Sequence, residues 1–365
     1  MSEVRTPDVS SFESNSSPLW GRVGVVSLSG LFVIVHSFCS ETYDGARLTE
    51  LTGGIAHIPY QFRALVPWII RGVNRWYRLI FGDDTFFDSV SATLLGGMAR
   101  NQFDNCDPTL LLMYLLFEFG ALLLLIRGGL RVLSLFQDSG GGVGQSNRAL
   151  FVLCLFVGLF WNYTLPFEKR WWYASDIVGL TFFTWGAYRI LKGEWLAYGL
   201  LFFVGAWNKE TVLFLMPLFY LRAIRAFPEP LVGLAAVLQL VVWGGVKYTL
   251  GVLYGHNRGF LFHPNIIENM ELLSRFGNWL IIASCGCGLL LITLAKTFRS
   301  KDEYMKMVFW TYIIFVVGVL SGGRITELRA YGELLPLAAA VAVVRREEGR
   351  FSAGHGGSTE VKVEG

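Results

Sequence analysis

Apolar runs of close to 20 residues recur along the chain, separated by short polar connections. Residues 20–39, 109–126, 150–163, 177–191, 231–253, 276–295, 307–320 and 334–344 each read as a membrane crossing or the core of one. Residues 195–221 differ from these, because Asn208, Lys209 and Glu210 interrupt an otherwise apolar stretch at its middle. As a single helix this stretch would put an ion pair near the bilayer centre, at about 2.5–3.5 kcal/mol per charge. As a hairpin of two short helices it would bring the polar tip to one membrane face. Lys and Arg collect in cytoplasmic loops, and only the hairpin keeps Arg189, Lys192, Arg222, Arg225, Lys296, Arg299, Lys301, Lys306, Arg345, Arg346 and Arg350 on one side. The expected fold is an all-α polytopic membrane protein with about ten transmembrane helices and both termini cytoplasmic.

Residues 40–108 form the longest polar-containing stretch, an expected outer loop. Within it, residues 64–81 alternate at helical period. Arg71, Arg75 and Arg78 fall on one face, and Trp68, Ile69, Val73, Trp76 and Ile80 fall largely on the other. That pattern predicts a helix lying on the membrane surface, or a tilted span with snorkelling arginines. Residues 86–99 predict a second interfacial or re-entrant helix. The Ser-rich residues 1–18 and the Gly-rich tail 346–365 read as disordered cytoplasmic ends flanking one membrane domain over 19–345.

Composition agrees with an integral membrane protein. Of 365 residues 53% are hydrophobic and only 16% charged, and the mean hydropathy is +0.47. The net charge of +3 gives no reason to expect nucleic acid. The five Cys do not read as a disulfide framework, and no metal-ligand spacing is present, although scattered oxygens leave a divalent cation compatible with the sequence.

Most of the acids, histidines and mixed Arg/Glu motifs fall in the outer loops, so chemistry is expected there. The candidates are Asp44 after the first span, Lys209 and Glu210 at the hairpin tip, and Arg324, Glu327, Arg329 and Glu333 before the last span. If helical, Arg324 pairs with Glu327 and Arg329 with Glu333, which positions an Arg fork for a lipid phosphate. The bland alternatives are an ion pair that locks two helices and a self-contained network at a helix entry.

The motifs PYQFRALVPW, WYASDIVGLTFFTWGAYRILKGEW with WNKET, and RITELRAYGELLP resemble those of C-type polytopic membrane glycosyltransferases, and within them a group of bacterial membrane proteins. The resemblance covers residues 40–340 and rests on short motifs, with Lys209 where that group carries Arg. It implies an inverting transfer of a sugar from a polyprenyl-phosphate donor to a glycan, lipid or protein acceptor, on the non-cytoplasmic side of a bacterial plasma membrane. Asp44 would then be the general base and Glu210 a second catalytic residue. Arg63, Lys209, Arg324, Glu327, Arg329 and Glu333 would hold the substrate. The rival expectations are a transporter of an anionic lipid-linked substrate and a non-catalytic membrane assembly protein.

Overall fold

The computed structural model describes residues 19–40, 45–58, 60–82, 85–101, 103, 106–137, 144–165, 172–259 and 265–344. Asp44 lies outside them. The described residues are helical throughout apart from turns and one isolated bridge between Ile58 and Gly259. In chain order the helices are α1 (Leu19–Cys39), α2 (Leu48–Gly53), α3 (Leu65–Phe81), α4 (Phe86–Asn101), α5 (Pro108–Phe136), α6 (Gln145–Thr164), α7 (Ala174–Lys192), α8 (Trp195–Asn208), α9 (Leu215–Ala223), α10 (Glu229–Tyr254), α11 (Ile266–Leu273), α12 (Phe276–Ala283), α13 (Leu289–Arg299), α14 (Glu303–Gly322) and α15 (Leu335–Val343). Three 3₁₀ turns, Tyr60–Phe62, Glu210–Phe214 and Leu328–Leu334, stand before α3, α9 and α15.

The protein is an integral, multi-pass membrane protein, but the expected ten spans are not there. Among the described residues four helices are long and apolar enough to cross a membrane: Gly21–Cys39, Pro108–Phe136, Glu229–Tyr254 and Glu303–Gly322. The shortfall has local causes. Residues 195–221 divide into α8, a 3₁₀ turn and α9. Residues 276–295 break at Gly286, Cys287 and Gly288, three consecutive residues in the left-handed region at φ 60°, 56° and 80°. Backbone freed by that break finds a partner on α6, where Asn162 accepts from the Gly286 N–H at 2.8 Å, and beside it the Trp161 indole donates to the Ser284 side-chain hydroxyl at 3.2 Å. α15 has only nine residues. In the opposite sense, α5 continues ten residues past Ile126, and Gly128 and Gly129 in that extension let the Trp185 and Phe151 rings close against it.

α5 and α7 form the centre of the bundle, and α15 is buried along nearly its whole length against α5, α6 and α13. Around α7 the chain reverses as the charge pattern requires. Asn208 at the end of α8 donates to the Ser175 carbonyl at the start of α7, and Arg222 at the end of α9 donates to the Leu191 carbonyl at its other end. The Trp195 and Phe219 rings, 5.6 Å apart, close the base of this hairpin. α8 is therefore only about 21 Å long at 1.5 Å per residue. The bundle has one end rich in Arg189, Lys192, Arg222 and Arg225, and another where the hairpin tip, the start of α7 and the segment before α15 converge.

α3 has the expected amphipathic pattern, with Val73, Trp76 and Ile80 exposed, but its arginines do not act together. Arg71 and Arg75 are exposed. Arg78 reaches Asp88 on α4 at 3.1 Å and Asp107 at the start of α5 at 3.2 Å. Asp107 caps α5 through the Thr109 N–H. Burial alone would raise the Asp88 carboxyl, but hydrogen bonds from Thr109 and Thr85 and the charge of Arg78 hold it at about 2. Its contribution to stability is complete above the ordinary carboxylate value of about 3.9 and is lost as the pH falls through about 2. Arg78→Ala should therefore lower thermal stability by about 1 kcal/mol at neutral pH, with the difference from wild type closing on acidification below about pH 2, whereas Arg71→Ala should leave melting unchanged.

Candidate functional site

Where the hairpin tip meets the start of α7, four cations and four carboxylates come together from five separate segments. Arg63 stands between the first 3₁₀ turn and α3, Asp176 in the first turn of α7, and Lys209 and Glu210 at the tip. Glu327, Arg329 and Glu333 belong to the segment before α15, and Lys247 projects from α10.

Lys209 is the bridge. Its Nζ donates to Asp176 Oδ1 at 3.0 Å and to Glu333 Oε1 at 2.7 Å, and all three side chains are buried. The tip can enter because Gly179 faces it, one turn along α7 from Asp176. A Cβ at that position would lie 2.9 Å from Lys209 Cδ. Thr211 adds a hydrogen bond to Glu333 Oε1 at 2.8 Å. Arg63 Nη1 donates to Asp176 Oδ1 and Nη2 to Glu210 Oε1, both at 3.2 Å. Arg329 lies over the Tyr173 ring at 4.8 Å, pairs with Glu327, and approaches Asp176 Oδ2 at 3.8 Å. Lys247 donates to the Phe62 carbonyl at 3.4 Å. Burial by itself would raise the Glu210 carboxyl, but Arg63 and then Lys247 outweigh it and hold the group at about 2. Matched charges are what allow Asp176, Lys209 and Glu333 to be withdrawn from water together, while Glu210 keeps 40% of its side chain exposed.

Beside Arg63 opens a narrow crevice with room for about one water molecule. Leu48, Leu51, Val66 and Pro67 supply aliphatic walls, Tyr60, Tyr114, Trp172 and Tyr173 aromatic ones, and Arg63 and Ser175 polar edges. Three side-chain donors on this lining have no hydrogen-bond partner: the Nε of Arg63 and the hydroxyls of Tyr173 and Tyr114, the latter 2% exposed.

Of the residues expected from the sequence, Arg63, Lys209, Glu210, Glu327, Arg329 and Glu333 assemble here. Their pairing differs from the helical expectation. Arg329 pairs with Glu327, and Glu333 pairs with Lys209. The segment is a 3₁₀ turn from Leu328 onward, so the i,i+3 and i,i+4 geometry of an α-helix does not apply. Arg324 stays outside the cluster, half exposed and 3.4 Å from Glu268 on α11. Asp176, Lys247, Tyr114 and Tyr173 were not anticipated. Lys247 had a readable signal, as a lone charge inside an apolar run. Among the described residues no group of three His, Cys, Asp or Glu side chains could hold a metal ion.

No protein-family model, curated protein or solved structure matches this chain. The resemblance to C-type glycosyltransferases is therefore overturned. With four long apolar helices in place of about ten, and no model or relative of that class matching, sugar transfer from a polyprenyl-phosphate donor has no support.

Removing the bridge tests the cluster. Lys209→Ala leaves Asp176 and Glu333 buried without it and should cost about 3–5 kcal/mol of stability. In a cycle of Lys209→Met, Glu333→Gln and the double variant, thermal unfolding in detergent should show the double losing less than the two singles combined. Strict additivity would mean that Lys209 and Glu333 are not coupled.

Proposed function

We propose that the protein binds a small amphiphile at this cleft, with a phosphate or carboxylate head against Arg63 and Tyr114 and an apolar body along the aliphatic and aromatic walls. The observation that carries the reading is the set of unanswered donors, Arg63 Nε, Tyr114 Oη and Tyr173 Oη, on one lining. Buried polar groups ordinarily find partners, and three donors left over on one lining call for an acceptor from outside the chain. Arg63 keeps Asp176 and Glu210 on its Nη atoms, so its Nε–H remains for a ligand without breaking the cluster. The flanking Tyr60 and Tyr173 rings, stacked 5.1 Å apart, and the Pro67 and Leu51 side chains suit the apolar remainder of such a molecule.

The orientation follows from the charge bias. The end carrying Arg189, Lys192, Arg222 and Arg225 is cytoplasmic by the positive-inside rule, which puts the cleft on the other side. α1 starts and α15 finishes at the cytoplasmic end, so both ends of the membrane domain lie there. A ligand carried by the far leaflet reaches the cleft from the side, and one in the aqueous phase reaches it from its mouth.

Tyr114→Phe is the informative change, because its hydroxyl has no bond in the protein to lose. Protein in nanodiscs titrated with dodecyl phosphate, dodecanoate and dodecanol should bind the two acids and bind the alcohol more weakly. Tyr114→Phe should weaken binding of the acids about tenfold, the equivalent of one hydrogen bond, with melting unchanged or slightly raised. Equal affinity of the variant and wild type, or of all three amphiphiles, would defeat the reading.

A further inference from the structure

Both ends of α3 are fastened to one end of the bundle. In its first turn the Trp68 indole donates to the hydroxyl of Tyr254, the last residue of α10, at 2.7 Å, and its ring lies 5.3 Å from Trp207 at the hairpin tip. In its last turn Arg78 reaches Asp107, the cap of α5, at 3.2 Å. α5 runs beside α7 in the same direction, with Thr181 donating to the Ala121 carbonyl and Trp185 to the Leu124 carbonyl, both at 2.9 Å. The start of α5 therefore lies at the end of the bundle where α7 starts, and that is also where α8 and α10 finish. About 15 Å of helix separates Trp68 from Arg78. A membrane crossing would spend that rise going toward the cytoplasmic end, whereas α3 spends it going across the opposite one.

The faces of α3 fit this placement. Val66 and Ile70 are buried on the bundle side. Val73, Trp76, Leu79 and Ile80 are exposed, Leu79 to 83% and Trp76 to 63%. On the next flank Arg71 and Arg75 stand one turn apart, both exposed, and neither pairs with a carboxylate among the described residues. Arg78 is spent on Asp88 and Asp107 and fixes the end of the helix. An apolar flank beside free cations is the pattern of a helix that lies in a membrane surface.

We infer that α3 lies in the leaflet at the end of the bundle that carries the charge cluster, with its apolar flank among the acyl chains, and that Arg71 and Arg75 hold the phosphate of an anionic phospholipid. Side chains one turn apart start from Cβ atoms about 5–6 Å apart, so the two guanidinium groups can converge on one phosphate. A zwitterionic headgroup brings its own cation to that phosphate. An anionic headgroup leaves the phosphate unanswered, and two cations without partners complement it.

The test reads Trp76, on the apolar flank beside Arg75, and is separate from binding at the crevice. The full chain, labelled with 5-fluorotryptophan and held in phosphatidylcholine nanodiscs, gives a fluorine resonance for Trp76 that is assigned by its loss in Trp76→Phe. Phosphatidylglycerol or phosphatidylcholine carrying a nitroxide on the fifth acyl carbon is then included at equal mole fraction. Both should broaden the Trp76 line, and both should do so more than the same lipids with the nitroxide near the chain end. The anionic lipid should act more strongly, by about fivefold for each arginine that meets a headgroup. Replacing both residues, Arg71→Gln with Arg75→Gln, should bring the two lipids to equality with melting unchanged. Continued broadening by phosphatidylcholine then shows that the helix has kept its place. Equal broadening by the two lipids in the wild type, an anionic preference that survives in the double variant, or stronger broadening from the chain end overturns the inference. So does a Trp76 line that neither lipid broadens, since something other than lipid would then cover the flank.

Discussion

A single ammonium group ties three distant parts of the chain together. Lys209 brings the hairpin tip to Asp176 on α7 and to Glu333 before α15. Without it, both carboxylates would be buried with no ammonium partner. The hairpin, α7 and α15 therefore cannot take up their positions independently. The cost of burying any one charge is offset only when the others arrive, which makes the cluster a specification of tertiary arrangement rather than a local stabiliser. Arg63 extends the same logic to the first loop, 113 residues before Asp176 in sequence.

The interruptions in the apolar runs obey a related constraint. Backbone that leaves helical geometry inside a membrane domain must find partners in the protein. Asn162 answers the Gly286 N–H and donates to the Leu328 carbonyl, so one amide serves both the break before α13 and the turn before α15. Asn269 does the same for the end of α14, donating to the Leu320 and Gly323 carbonyls and accepting from the Ile325 N–H. Lys296 closes the list by donating to the Ala342 carbonyl at the end of α15.

Much of this was legible in the sequence, in a characteristic way. The hairpin could be read because membrane charge bias penalises the single helix, and the tip residues Lys209 and Glu210 stood out as polar positions in an apolar run. Membership of the cluster was partly readable for the same reason, but its pairing was not. Asp176 sits at an ordinary helix start and acquires its role only from partners far along the chain. Glu333 is within reach of Arg329 on an α-helix but not in the 3₁₀ turn actually formed. The number of spans was overcounted because hydropathy measures a run of side chains and is blind to a backbone break within it, as at Gly286. Lys247 shows the converse. It is a single polar letter in an apolar stretch, and that alone was sufficient reason to suspect a buried partner.

The length of α8 reaches beyond the protein itself. Leu196 is 81% and Leu200 60% exposed, so this short helix turns an apolar flank to its surroundings rather than hiding inside the bundle. A flank about 21 Å tall stands against a hydrocarbon layer of about 30 Å. The lipids that touch α8 must shorten, tilt or dip to meet it, at a cost of fractions of a kcal/mol per Å. Chain length of the surrounding lipids thus becomes a variable that acts on this protein without touching its binding residues.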